Sequence, residues 1–194
     1  MKQLLPAAAL LLALSSAHAT TIFSDDFSGN TVGGNLIPNG WTVLPGTGTV
    51  DIIGPGWYDL LPGNGPHIDL DGSTTNAGVL SKSLLLTAGV QYIASFQLAG
   101  NQRGWPSDTV DVSFGTTQGS YTLASSQGLT TYTLAFTAST TGNYSLSFAN
   151  QGGDNYGALL DNVSVAAVPE PQSLALGLAG LACAAVALRR QRRA

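Results

Sequence analysis

Alternation of apolar and polar residues with a period of two dominates the middle of the chain and predicts β-strands. Turn-forming residues separate these runs, and no stretch between residues 20 and 167 has a helical period. Short strands at such spacing predict an all-β fold, an antiparallel β-sandwich. Residues 29–65 are rich in Gly and Pro and predict long loops around two or three further strands. The alternating runs are residues 90–98, 110–114, 132–136 and 144–148.

The first 19 residues form a segment of a different kind. Lys2 precedes an almost wholly apolar run, residues 4–17, which the small residues Ala17 and Ala19 close. One positive charge, a short apolar helix and a small-x-small site are typical of a secretory signal peptide. We expect signal peptidase to cut after Ala19, which leaves residues 20–167 as one domain of ordinary size.

A second apolar segment closes the chain at residues 168–194. Two prolines hold its start extended, and an uncharged run follows. As a helix, residues 174–188 would span about 22 Å at ~1.5 Å per residue, against a hydrocarbon core of about 30 Å. The run therefore predicts a short transmembrane helix. The arginine cluster behind it should stay cytoplasmic, since basic residues beside a span resist translocation. Its members are Arg189, Arg190, Arg192 and Arg193.

The order Val168-Pro169-Glu170-Pro171, short apolar helix and terminal arginine cluster closely resembles the PEP-CTERM sorting signal. The resemblance implies recognition by an exosortase, a membrane cysteine protease, and removal of the tail near the Pro-Glu-Pro motif. It also implies export across the inner membrane of a Gram-negative bacterium, with a membrane anchor before processing and the cell surface or extracellular matrix as the destination. The alternative is a simple C-terminal anchor that is never cut.

Charge and cysteine are concentrated in the two ends of the chain. Of the seven Lys and Arg residues, the domain keeps only Lys82 and Arg103, against ten aspartates, so its formal charge is −8. A surface this acidic argues against nucleic-acid binding. The one cysteine, Cys183, lies in the C-terminal segment. The domain must therefore rely on a hydrophobic core, with or without metal ions, instead of disulfides.

Five short motifs follow one another along nearly the whole domain: Asp25-Asp26-Phe27, Gly40-Trp41-Thr42-Val43, and residues 67–72, 92–101 and 160–165. In this order they resemble the galactose-binding-like jelly roll, which is shared by many carbohydrate-binding modules and PEP-CTERM ectodomains. The resemblance implies two antiparallel sheets with the first and last strands close together. The Gly-Trp context of Trp41 predicts a core residue under the N-terminal strand.

The same resemblance implies a structural calcium ion between the N-terminal segment and the last strand. Carried over by motif, its side-chain ligands are Asp26 and Asp161, with Asp25 as a further candidate. Calcium takes six to eight hard oxygen ligands, and a cation would relieve the repulsion between neighbouring carboxylates. In the alternative, Asp26 caps a turn and Asp161 accepts bonds from local backbone amides. Asp69 and Asp71 face the same way in a strand and predict a solvated face or a second oxygen cluster.

Aromatic residues in turn-rich stretches are the candidates for carbohydrate binding. Sugars stack their C–H faces on flat rings, while their hydroxyls bond to polar side chains. Arg103 precedes one of these aromatics by two residues and could support the role. In the alternative, such loop aromatics only cover the end of a core. The candidates are Trp57, Tyr58, Trp105 and Tyr156.

The domain lacks most parts of a hydrolytic site, and we predict no catalytic residue and no enzyme activity. His67 is its single histidine, and no Gly-x-Ser-x-Gly elbow accompanies it. The sequence therefore predicts a non-enzymatic surface or matrix protein associated with exopolysaccharide. One alternative is a specific, lectin-like carbohydrate-binding module, whose aromatics share a groove. The other is a secreted glycan hydrolase, whose pocket contains His67 and at least one carboxylate.

Overall fold

The computed structural model describes residues 19–169, together with Gly180 and Arg189. Residues 19–169 form a compact unit of their own. The predicted signal peptide and nearly all of the predicted sorting signal lie outside the described residues. Among the residues that are described, no helix is long and apolar enough to cross a membrane. The predicted site residues outside this part of the chain are Ala17, Glu170, Pro171, Arg190, Arg192 and Arg193.

Eleven β-strands make up the regular structure of residues 19–169. They are β1 (Thr20–Asp25), β2 (Thr42–Val43), β3 (Asp51–Ile53), β4 (His67–Asp69), β5 (Val79–Leu86), β6 (Gln91–Ala99), β7 (Asp108–Phe114), β8 (Thr117–Leu123), β9 (Thr130–Thr137), β10 (Gly142–Asn150) and β11 (Leu159–Ala167). The alternating runs in the sequence match β6, β7, β9 and β10, which confirms the prediction of β-strands there. The segment of residues 29–65 contains only the short β2 and β3 between long loops, as predicted.

The strands form two sheets, and within each sheet all paired strands are antiparallel. One sheet has six strands in the order β3-β4-β11-β6-β9, with β1 also paired to β11. The other has five strands in the order β2-β5-β10-β7-β8. This arrangement confirms the predicted all-β antiparallel sandwich. The pairing of β1 with β11 also confirms that the first and last strands are neighbours.

The core lies between the two sheets and is built from the apolar side of the alternating strands. Phe96 of one sheet meets Phe148 of the other edge to face, with ring centroids 5.2 Å apart. Trp41 is 5% exposed and packs against Phe27 and Phe148, which confirms its prediction as a core residue. Its indole nitrogen donates to Asp25 Oδ2 at 2.8 Å, so the polar end of the ring is also satisfied. Burial of each such ring contributes roughly 1.5–3 kcal/mol.

The course of β11 defines two poles of the sandwich. Leu159, its first residue, pairs with Asp69 and Ala99, while Ala167, its last, pairs with Thr20. At ~3.3 Å per residue a strand of this length spans about 26 Å. The loops of residues 70–78, 100–107 and 151–158 lie at the pole where β11 begins. The start of β1 and the end of β11 lie at the opposite pole.

Candidate functional site

A small second hydrophobic cluster lies on the outer face of the six-stranded sheet, near the start of β11. Its buried members alternate along their strands with residues of the main core, so they point to the opposite face of the sheet. The loop of residues 54–66 covers this cluster and is fixed by it. The cluster comprises Ile53, Ala99 and Leu159, against which Trp57, Leu60, Leu61 and Leu129 pack.

Asp69, at the end of β4, connects three elements on this outer face. Its Oδ2 accepts a hydrogen bond from Arg103 Nη2 at 2.6 Å, in an ion pair that brings in the loop of residues 100–107. Its Oδ1 accepts from the backbone N–H groups of Asp71 and Gly157, each at 3.1 Å. A Cβ at Gly157 would lie only 2.6 Å from that oxygen, so a glycine is needed for this approach. One carboxylate thus holds two loops against one strand.

The ion pair is buried, and burial governs its electrostatics. The side chain of Asp69 is 1% exposed and that of Arg103 is 16% exposed. Burial raises the pKa of Asp69 to about 7, although the charge and hydrogen bond of Arg103 and the bond from the Asp71 amide act to lower it. Withdrawing both charges from water costs about as much as their attraction returns. The pair therefore serves to place Arg103 and the two loops more than to add stability.

Arg103 and Tyr156 organise the aromatic side of the site. The guanidinium carbon of Arg103 lies 5.3 Å from the centre of the Tyr156 ring. Trp105 stacks on the same tyrosine, with the centroids 4.9 Å apart and the planes 19° from parallel. Cation–π contact and offset stacking both favour these arrangements. Two loops distant in sequence therefore present one aromatic surface, and Trp105 remains 49% exposed.

A cleft of about 250 Å³ opens beside this surface. Tyr58, which is 64% exposed, also lines the cleft and contacts Trp57 edge to face. Asp51 fixes the two loops that carry Ser73 and Asn35. Its carboxylate accepts hydrogen bonds from Ser73 Oγ and from the backbone N–H of Asn35, each at 2.6 Å. The volume lies just below the ~300–1,000 Å³ typical of ligand sites. The lining residues are Asp51, Ile53, Tyr58, Ser73, Arg103, Asn155 and Tyr156.

The predicted calcium ligands lie elsewhere, where β1 meets β11. Asp25 accepts hydrogen bonds from the Phe27 amide and the Trp41 indole, and Asp161 accepts from both nitrogens of Asn162. Burial, and secondarily the charges of the two N-terminal aspartates, raise the pKa of Asp161 to about 6. In this arrangement N–H groups donate to the oxygens of both Asp25 and Asp161.

The exposed Asp26 accepts from the amide and hydroxyl of Ser28, as in a turn. Across residues 19–169, no group of three or more His, Cys, Asp or Glu side chains is placed to hold a metal ion. Calcium binding therefore stays a prediction that rests on the resemblance.

Comparison with known proteins settles the family. A family model described as "Protein of unknown function (DUF642)" matches residues 20–166. The chain belongs to the DUF642 family. No match was found among the curated proteins.

Solved structures share the fold of this DUF642 domain. The CBM22-1 xylan-binding domain of Paenibacillus barcinonensis Xyn10C is 16% identical, with a TM-score of 0.51 over 81% of this chain and 100% of that chain. The K3 cleaved adhesin domain of Lys-gingipain from Porphyromonas gingivalis is 14% identical, with a TM-score of 0.55 over 77% and 99%. CBM22-1-GH10 modules of Clostridium thermocellum xylanase 10B are 16% identical, with a TM-score of 0.51 over 79% of this chain, which spans only 30% of theirs. These likenesses confirm a jelly roll like that of carbohydrate-binding modules.

The structure brings together three of the four predicted sugar-binding aromatics of the DUF642 domain. Tyr58 and Tyr156 line the cleft, and Trp105 stacks on Tyr156 at its side. Trp57 is half-buried and packs on the small hydrophobic cluster, where it supports Tyr58 instead of lining the cleft. Arg103, noted beside Trp105 in the sequence, is the residue that connects the two loops.

Other polar residues have roles that the sequence did not indicate. Asp69 and Asp71 do not form a solvated face, because they are 1% and 0% exposed. Asp71 accepts from the backbone N–H of Asp154 at 3.3 Å and so anchors the loop that carries Tyr156. His67 is fully buried, and its Nδ1 donates to the carbonyl oxygen of Gly65 at 2.9 Å. Burial lowers the pKa of His67, which favours the neutral ring.

Replacing Arg103 should destabilise the domain in a pH-dependent way. Because the folded pKa of Asp69, about 7, exceeds its ordinary value of 3.8, the folded state retains a proton that the unfolded chain releases. Stability is therefore lost as pH rises towards 7. In Arg103→Met the folded pKa rises further, so the variant should lose up to about 1.4 kcal/mol more per pH unit above that point. Thermal melting from about pH 5 to about pH 9 measures this difference.

Lys82→Met is the matched control for that series. Lys82 is the other basic residue of the domain, but its Nζ donates to the carbonyl oxygen of Gly40 at 2.6 Å and pairs with no described carboxylate. The effect of Lys82→Met on the melting temperature should therefore not change with pH. A loss in Arg103→Met that is equally independent of pH would contradict the role given to the ion pair.

Proposed function

We propose that this DUF642 domain is a non-catalytic carbohydrate-binding module that acts outside the cell, in association with exopolysaccharide. The observation that carries the proposal is that Tyr58 and Tyr156, from two loops, line one cleft, while Trp105 from a third loop stacks on Tyr156. Flat rings offer faces for the C–H side of a sugar. Ser73 and Asn155 beside them offer polar atoms for its hydroxyls. The fold shared with the CBM22-1 xylan-binding domain of Paenibacillus barcinonensis Xyn10C supports this class of ligand.

The geometry favours binding over hydrolysis. A hydrolase that uses His67, the single histidine of the domain, would need that ring in a pocket with a carboxylate. His67 is 0% exposed and points its Nδ1 at the backbone of Gly65. A general base must reach the substrate proton within hydrogen-bond distance, which this ring does not do. We therefore retain the binding module as the function and set the hydrolase aside.

Export and sorting complete the proposal. The signal peptide would end at Ala19, immediately before the first strand residue, Thr20. The sorting motif would begin at Val168, one residue after β11 ends. Signal peptidase and an exosortase would thus act on segments that flank the sandwich and leave all eleven strands in the product. The cleft lies at the pole opposite both flanks, where an attached tail would leave it open to solvent.

Trp105→Ala tests the proposed binding surface. The variant should bind a glycan recognised by the unmodified protein about tenfold more weakly, or about 1.4 kcal/mol, since central aromatic anchors carry much of the binding free energy. Because Trp105 is 49% exposed, its removal should alter melting little. Glycan-array screening followed by titration calorimetry measures the effect.

The matched control for this variant is Leu85→Ala. Leu85 is 71% exposed and lies on β5, in the other sheet. Its removal deletes a comparable exposed apolar side chain far from the cleft and should leave affinity unchanged. Equal weakening by both variants, or no glycan binding by the unmodified protein, would argue against the proposed surface.

Intact mass of the protein recovered from its native host tests export and sorting. We expect a mass that begins at Thr20 and ends in the region of Pro169 to Pro171. Cleavage after small residues at positions 17 and 19 accounts for the first end, and exosortase action for the second. A mass that retains Arg189 to Arg193 would instead show an uncut C-terminal anchor.

We also propose that the domain binds a structural calcium ion through Asp25, Asp26 and Asp161. If the ion binds, the protein should melt several degrees higher in millimolar calcium than in excess chelator, because a ligand bound by the folded state alone raises stability. Asp161→Asn should abolish that difference, while Asp111→Asn, on the other sheet, should preserve it. Equal melting temperatures with calcium and with chelator would rule the ion out.

A further inference from the structure

We infer that the cleft accepts uncharged sugar units and rejects uronates and other anionic sugars. The inference rests on the proposed carbohydrate-binding function and specifies its ligand class. It follows from the placement of charge around the cleft, in which acidic groups outnumber the single basic one and that basic group is already paired.

Arg103, the one basic residue that lines the cleft, contacts other side chains of the protein. Arg103 Nη2 donates to Asp69 at 2.6 Å, and the guanidinium carbon lies 5.3 Å from the centre of the Tyr156 ring. Its Nη1 is buried and has no hydrogen-bond partner among the described residues, so the guanidinium does not expose two parallel N–H groups to a sugar carboxylate. Recognition of a carboxylate by arginine relies on two parallel N–H bonds to its oxygens. Arg103 instead directs Nη2 to Asp69 and places its guanidinium against the Tyr156 ring.

No second cation compensates in the described part of the domain. Lys82, on β5 of the other sheet, donates to Gly40 and lies 4.8 Å from the centre of the Phe23 ring. Neither of those partners is among the residues that line the cleft. An anionic ligand would therefore meet no free positive charge here.

Negative charge, by contrast, surrounds the cleft. Asp51 lines it, Asp69 lies behind Arg103, and the exposed Asp154 precedes Asn155 of the lining. The domain as a whole carries ten aspartates against two basic residues. A field of one sign over a cleft repels ligands of that sign. Neutral hydroxyls face no such penalty and can bond to the amide and phenol groups available there.

Matched pairs of oligosaccharides test this inference on the purified mature protein. Hexasaccharides of glucose, mannose and galactose are compared with the same chains oxidised at C6 to the uronate. Each pair then differs only by a hydroxymethyl or a carboxylate group. Titration at about pH 8, where Asp69 is ionised, should give affinity at least tenfold lower for the oxidised member of any pair that binds. The difference in affinity between the two members of a pair should decrease in high salt, because added ions screen the repulsion.

The outcomes separate this inference from the function on which it rests. An oxidised chain that binds as tightly as its neutral partner, or more tightly, overturns the inference and leaves carbohydrate binding intact. If the neutral chain binds selectively but Trp105→Ala does not weaken that binding, the ligand lies away from the aromatic surface of Trp105 and Tyr156, and the inference fails as well. If no glycan of either kind binds, on the matched pairs or on the array, the proposed function itself fails.

Discussion

The buried ion pair between Asp69 and Arg103 is the contact on which the candidate site depends. Asp69 is held by β4 and accepts hydrogen bonds from two loops, so the aromatic residues of those loops take their positions from one carboxylate. A buried pair is a poor source of net stability, since desolvation offsets its attraction. Two apolar side chains of similar size could fill the space as well. They could not aim a guanidinium at the Tyr156 ring while fixing a backbone N–H, which is the geometry that the cleft requires.

The rigidity behind that pair comes from two hydrophobic clusters on opposite faces of one sheet. The main core locks the sandwich, with Phe96 against Phe148 at its centre. The small cluster on Ile53, Ala99 and Leu159 fixes the long loop that carries Tyr58. Loops placed on a rigid scaffold are the usual location of binding residues, because the scaffold supplies position and the loops supply chemistry. Here the outer face of the sheet acts as scaffold for the loops themselves.

Sequence reasoning predicted the fold well because the strands that form most of the core are long and alternate cleanly. β6 and β10 each span nine residues, enough for a period of two to stand out. β4 spans three, so nothing in its pattern distinguished a buried Asp69 from a solvated one. The aromatic candidates were recognisable by residue type and by their turn-rich surroundings. That they lie close together in the folded domain was not recognisable from the sequence. Residues 58, 105 and 156 belong to loops whose convergence follows from the strand order, which a single sequence does not specify.

The direction of β11 relates the site to the ends of the domain. This strand starts beside Asp69, the partner of Arg103, and ends beside Thr20, the first residue of β1. Because it pairs with β6 along almost its whole length and with β4 and β1 on its other side, it is held on both edges. A tail that continues from Ala167 is therefore attached to an interior strand, and pulling on it loads the sheet through many backbone hydrogen bonds. Such an architecture suits a module that is tethered at one pole and binds its ligand at the other.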